Sequence, residues 1–134
     1  MKPILSASEV REQIREKLSQ YFGMSPAEAG DEYFYKACVL IVKDILVKNR
    51  KAFTEKAAAQ KTKQVYYLCM EFLMGRSLKN NLSNLGLLPA FQQALLDYGV
   101  KLERIFEMEP DAGLGNGGLG RLEMCIRDSI YTEE

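Results

Sequence analysis

Apolar residues recur at helical spacing through most of the chain. Val10, Ile14, Leu18, Tyr21 and Phe22 fall on one face of a helix that Ser6-x-x-Glu9 can start as a capping box and Gly23 ends. Ser25-Pro26-Ala27-Glu28 offers a second start, with Pro at a first helical position, and Gly30 breaks that short piece. A long helix is predicted from Asp31, with Phe34, Cys38, Ile41, Val42, Ile45 and Leu46 on one side. Lys48 to Lys63 is basic and Ala-rich and reads as an exposed helix end and linker, its charges a solvated face. Further on, Leu78, Leu82 and Leu85 predict a short helix. Leu87-Leu88-Pro89 begins another, with Phe91, Leu95 and Tyr98 inward and Gly99 at its close. Lys101 to Met108 supplies one more helical piece.

Val65 to Phe72 breaks this rhythm. Val-Tyr-Tyr-Leu-Cys-Met-Glu-Phe is apolar at nearly every position, the pattern of a strand buried on both faces of a parallel sheet. Such a strand needs partners, and the rest of the chain shows no second convincing one. The expectation is a mainly helical piece with one clear buried strand, belonging to a larger α/β protein. Glu71 lies near the carboxyl end of that strand, where open α/β folds bind ligands. A buried carboxylate needs a partner, and Arg76 beyond Gly75 is the nearest candidate. Proximity to a site and a structural ion pair both fit.

Five of the ten glycines lie in Asp-Ala-Gly-Leu-Gly-Asn-Gly-Gly-Leu-Gly-Arg-Leu, residues 111–122. Leu119, Leu122 and Ile126 then mark an apolar helical face. A helix opening from a glycine loop directs unpaired N–H groups and the positive end of its dipole at whatever sits there, commonly phosphate. Gly113-x-Gly115-x-x-Gly118 and Gly115-x-Gly117-x-x-Gly120 both satisfy dinucleotide spacing. That fingerprint requires a preceding strand and an acidic residue about 20 positions later. Residues 107–111 are too polar for a buried strand, and no Gly-Lys-Ser/Thr follows to make a nucleotide P-loop. An anion site and a tight turn that only lets a helix pack closely both remain open.

Composition narrows the chemistry. The 134 residues are 47% hydrophobic, enough for a packed core, and 18 basic residues balance 18 acidic ones. Zero net charge argues against nucleic acid or an anionic membrane as partner. No histidine is present, which removes the commonest general base and metal ligand. Cys38, Cys69 and Cys125 are odd in number and widely spaced, so neither a disulfide framework nor a metal site is expected. The first eight residues lack the apolar core of a signal peptide, and no apolar run approaches a membrane span.

Two stretches carry a family resemblance. Tyr66-Tyr67-Leu68-Cys69-Met70-Glu71-Phe72-Leu73-Met74-Gly75-Arg76 resembles the first strand and turn of glycogen, starch and maltodextrin phosphorylases. Residues 111–122 resemble their glycine loop almost letter for letter, and Asp31 to Arg50 their preceding long helix. The likeness covers residues 31–122 and leans to the bacterial branch. It implies the N-terminal part of a two-lobed, Rossmann-like GT-B glycosyltransferase. Such enzymes are cytoplasmic, allosteric, commonly homodimeric, and release glucose 1-phosphate from α-1,4-glucan ends with orthophosphate. The implied cofactor is pyridoxal 5′-phosphate, whose phosphate exchanges a proton with the substrate phosphate. By position, Glu71 corresponds to an active-site glutamate. The backbone N–H groups of Gly117, Gly118 and Leu119 correspond to phosphate and glucosyl contacts. Asn116, Gly115, Arg121 and Arg76 are supporting residues. No metal is implied.

The cofactor lysine of the family falls beyond this chain, so the chain alone is expected to be inactive. Residues 1–30 read as N-terminal helices and 31–122 as the family-like core. Residues 123–134 read as a divergent, aberrant tail, because Glu123, Arg127 and Asp128 put charges on a helix expected to be buried. A stand-alone phosphate-binding module built on the glycine loop is the alternative, and a helical interaction module a weaker third.

Overall fold

The computed structural model describes residues 5–132, with side-chain surroundings given as far as Ile126. It divides into two compact units.

The first unit, residues 5–60 with Leu78–Glu109, is helical. Helix α1 spans Ala7–Phe22 and begins as the sequence predicts. Glu9 N–H donates to Ser6 Oγ at 3.3 Å, and Ser6 N–H donates back to Glu9 Oε2 at 2.7 Å. Gly23 closes the helix at φ +64°, a left-handed conformation that costs glycine little. The Ser25–Glu28 start yields only a turn, with Ser25 N–H donating to Glu28 Oε2 at 2.9 Å. Helix α2 covers Asp31–Ala59. Its first half is anchored by buried Phe34, Ala37, Cys38, Ile41 and Val42, and its second half is largely exposed, Ala57 apart. Helices α3 (Leu78–Asn84), α4 (Leu88–Leu96) and α5 (Leu102–Glu107) follow the predicted pieces.

These helices close one core. Val10, Ile14 and Leu18 of α1 meet the α2 stripe, Leu78 and Leu82 of α3, Leu87, Phe91 and Leu95 around α4, and Leu102 and Ile105 of α5. Each fully buried Leu, Ile or Phe contributes about 1.5–3 kcal/mol over leaving it exposed. Tyr98 adds a polar tie, its hydroxyl donating to the Arg11 carbonyl at 3.0 Å. Glu109, itself buried, caps α3 from 31 residues away, accepting the Leu78 N–H with both oxygens at 3.0 and 3.1 Å. Burial pushes the Cys38 thiol up to about 12, which makes it a small core residue and no nucleophile.

The second unit, residues 61–77 with those from Pro110 onward, corrects the strand expected from the sequence. Val65 to Cys69 forms no regular structure and lies open, Val65 at 95% and Leu68 at 92% exposure. Strand β1 starts only at Phe72 and runs to Gly75. It pairs antiparallel, not parallel, with β2 (Ala112–Leu114), which sits inside the glycine stretch. A strand buried on both faces must be flanked and covered, and among the described residues the sheet has only these two strands. The pairing slips between Leu73 and Gly75, where Gly75 takes φ +64° and bends the strand out of register. Helix α6, Gly118–Thr132, opens from the loop as predicted. Its expected inward face is not inward: Leu119, Leu122 and Ile126 are exposed, and Gly120 and Glu123 are the buried positions. α6 packs against β1, and the side turned to it is set by that contact rather than by the leucine stripe.

Candidate functional site

The glycine loop and Glu71 meet at the start of α6. Chain reversal between β1 and β2 brings Glu71, just ahead of β1, beside residues 115–120. Gly120 N–H donates to Glu71 Oε2 at 3.0 Å across 49 residues of sequence. The first N–H groups of a helix have no intrahelical acceptor, and a carboxylate is a favourable cap because it also meets the positive end of the dipole.

The glycines divide by what surrounds them. At Gly115, φ is +78° and an added Cβ would lie 2.7 Å from Glu71 Cγ. At Gly117 it would lie 2.9 Å from both carboxylate oxygens, and at Gly120 2.8 Å from the Gly115 carbonyl oxygen. Three of the glycines therefore let the loop wrap the Glu71 side chain and close on itself. Gly118 differs: nothing lies within 4 Å of its Cβ position, and its φ is not in the left-handed region. The N–H groups of Gly118 and Leu119 take no acceptor among the described residues. These two donors are the free part of the helix start.

The expected partnership of Glu71 with Arg76 is replaced by two others. Glu71 goes to Gly120, while Arg76 Nε lies 3.4 Å from Asp111 Oδ1. The latter is an exposed pair, worth at most about 1 kcal/mol. Asn116 and Arg121 are both exposed on the loop and the first turn of α6, and Arg121 N–H donates to the Gly117 carbonyl at 3.1 Å. Sequence reasoning missed Gly120 as the donor to Glu71, Asp111 as the companion of Arg76, and β2. For Gly120 the signal was available: it is the third residue of the helix, where N-caps usually find their donor.

One neighbour is less well satisfied. Glu123 is buried, and its Oε2 has no hydrogen-bond partner among the described residues. Tyr67 has its phenol pushed up, first by a hydrogen bond with Cys69 and further by the negative charge of Glu123. No group of three metal-ligating side chains exists among the described residues.

A family model for carbohydrate phosphorylases matches residues 95–134, a span that contains the glycine loop and α6. The glycogen phosphorylase of Pasteurella multocida (strain Pm70) is 38% identical over 131 residues. The chain belongs to the carbohydrate phosphorylase family. That alignment takes in 98% of this phosphorylase-family chain and 16% of the relative. The glycogen phosphorylase of Chlamydia trachomatis serovar D is 61% identical over 72 residues, 54% of this chain and 9% of the relative. The Solanum tuberosum α-1,4 glucan phosphorylase L-2 isozyme is 48% identical over 98 residues, 73% of this chain and 10% of the relative. The chain thus spans about a sixth or less of the phosphorylases it matches. No helix among the described residues is long and apolar enough to cross a membrane.

Proposed function

We propose that this chain is the N-terminal part of an α-1,4-glucan phosphorylase of the GT-B type, and that its glycine loop is the phosphate-facing element of the active site. The observation that carries this reading is the pair of acceptor-free N–H groups at Gly118 and Leu119, held at the start of a fifteen-residue helix by the Glu71 clamp. Donors fixed before the reaction stabilise developing negative charge without reorganising. Gly118 and Leu119 would face the phosphate or glucosyl oxygens. The Gly117 N–H, the third donor implied by the family likeness, precedes the helix. Glu71 aligns the loop and brings a carboxylate to the site, while Asn116, Gly115, Arg121 and Arg76 border it.

The donor set fits a phosphate group, including that of pyridoxal 5′-phosphate, but offers no lysine among the loop residues to tether it. When bound, that cofactor supplies a phosphate able to exchange a proton with substrate phosphate. The residues of this chain orient the anion and exclude side chains from its approach. α-1,4-Glucan and orthophosphate are the proposed substrates of the whole enzyme, which we place in the cytoplasm as a homodimer. The 134 residues alone are expected to be inactive.

The test is a chimera in which residues 31–122 replace the matching segment of the Pasteurella multocida enzyme. Release of glucose 1-phosphate from glycogen supports the reading. A folded chimera without phosphorolysis, beside an active parent, overturns it. The stand-alone phosphate module is the second reading, favoured by the fact that both free N–H groups belong to this chain. Saturable micromolar phosphate binding by the 134-residue chain, measured by isothermal titration, would support it.

A further inference from the structure

Leu78 and Glu109 are the first and last residues of the segment of the helical unit that interrupts the loop unit in sequence. The Leu78 N–H donates to both oxygens of the Glu109 carboxylate, at 3.1 and 3.0 Å, so the two ends of that segment are tied together. Glu109 is buried, and a buried carboxylate is costly unless it is hydrogen-bonded. A hydrogen bond to a charged acceptor is also roughly twice as strong as a neutral one. The carboxylate stands against the helical core: Tyr35 of α2 has its phenol pushed up, first by burial and then by the negative charge of Glu109.

This tie continues the register of the strands. Gly75 pairs with Ala112. Counting forward from Gly75 and back from Ala112 sets Arg76 opposite Asp111, Ser77 opposite Pro110 and Leu78 opposite Glu109. The first and last of these do meet, Arg76 with Asp111 at 3.4 Å and Leu78 with Glu109 at 3.0 Å. Pro110 has no N–H and cannot extend a backbone ladder, so the Glu109 side chain extends the pairing in its place. The strands have need of it. They are four and three residues long, Gly113 is the middle residue of β2, and glycine-rich strands specify their register weakly. The pairing already slips once, between Leu73 and Gly75. A further slip of one residue moves β2 along β1 by about 3.4 Å. The hydrogen bond from Gly120 N–H to Glu71 Oε2, 3.0 Å long, cannot follow a shift of that size.

We propose that Glu109 is a positioning residue for the glycine loop: by holding the Leu78 N–H it locks the β1–β2 register in which Glu71 clamps Gly120 and the free N–H groups of Gly118 and Leu119 keep their place. Glu109 acts through Glu71. Its effect on turnover rests on the phosphate-facing role proposed above for the loop, and its effect on the clamp does not. Amide exchange in the 134-residue chain separates this role from a cap that serves α3 alone. Glu109→Ala should speed exchange at Gly120 about tenfold or more, in line with losing a hydrogen bond to a charged group. Glu109→Gln keeps an oxygen that accepts the Leu78 N–H and should hold Gly120 close to the parent rate. A cap for α3 alone would speed exchange in α3 and leave Gly120 unchanged in Glu109→Ala, which overturns the proposal, as does a Glu109→Gln chain no better protected than Glu109→Ala. If the alanine chain does not fold, Glu109→Asp keeps the charge, withdraws it by one methylene from Leu78, and is judged by the same outcomes at Gly120.

Turnover gives the second readout. In the phosphorylase chimera Glu109→Ala should lower kcat about tenfold and leave KM for glycogen within about twofold, because displaced donors are missed by the charge that develops in the transition state. An active chimera whose kcat is untouched by Glu109→Ala overturns the proposal. An unsubstituted chimera that folds without phosphorolysis overturns the phosphate-facing reading instead, and exchange at Gly120 then decides the role of Glu109 by itself.

Discussion

The two units carry similar densities of apolar residues and use them differently. In the helical unit most of each predicted stripe is buried: Val10, Ile14 and Leu18, then Phe34, Cys38 and Ile41, then Phe91 and Leu95 lie in one cluster, while Tyr21 and Leu46 at the ends of their stripes stay exposed. In the loop unit Val65, Leu68, Met70, Leu119 and Leu122 stay exposed, and the buried positions include a glycine and a carboxylate, Gly120 and Glu123. The apolar pattern states which residues gain by burial. It does not supply the surface that buries them. Helices α1 to α5, packed on one another, supply it in the first unit, whereas two strands of three and four residues cannot in the second.

The contrast is sharpest in unfolding. Phe91→Ala should destabilise the helical unit by about 3–5 kcal/mol, since it empties a fully buried site. Leu68→Ala should change stability by no more than about 0.5 kcal/mol, as expected where a side chain touches little. Denaturant melts followed at 222 nm give both numbers. Comparable losses from the two substitutions would break the comparison.

Within the loop unit the glycines make a second, smaller contrast. Gly115→Ala forces a positive φ and a collision with Glu71 Cγ, and should cost about 1–3 kcal/mol of local stability. Amide exchange at Gly120 reports it. Gly118→Ala meets open space and should leave exchange unchanged. In the phosphorylase chimera the order should reverse for catalysis proper. Gly118→Ala should lower turnover about 10²-fold, the loss expected when a preorganised donor is obstructed. A chimera turning over at the parent rate with Gly118→Ala would leave the loop a packing turn only.

The smallest effect separates a local cap from a distant one. Hydrogen bonds from the Ser6 backbone N–H, then from its hydroxyl, hold the Glu9 carboxyl below its usual range. A depressed folded value means that the cap's stabilisation is present above the ordinary glutamate range and lost as pH falls through the lowered one. An NMR titration of the α1 first turn should show it fray at that acidic step; Ser6→Ala, which keeps the backbone N–H, should only weaken the step, and Glu9→Gln should abolish it. A first turn indifferent to pH would count against the capping box.

How much was legible follows the same division. The Ser6–Glu9 cap, the Gly23 stop, the α2 stripe and the helix opening from the glycine loop could be read directly, because each depends on residues within one or two turns of each other. The caps from Glu71 to Gly120 and from Glu109 to Leu78 could not, since they join residues 49 and 31 positions apart. The Arg76–Glu71 pairing failed for that reason: proximity in sequence was taken for proximity in space, and the antiparallel return to β2 brought Asp111 to Arg76 instead. β2 escaped notice because three residues, Ala112–Leu114, are too few to show a period.

The sequence by itself determined the helices, their ends and the presence of a bare-backbone loop before a helix, through periodicity, capping residues and the missing Cβ of glycine. Only the tertiary structure decided what each glycine is for. Gly115, Gly117 and Gly120 accommodate Glu71 and the loop's own backbone, and Gly118 alone of the four leaves its side open. A missing Cβ looks the same at every position in a sequence. Whether the vacated space is filled from within or offered to a ligand depends on a side chain delivered from 49 residues away.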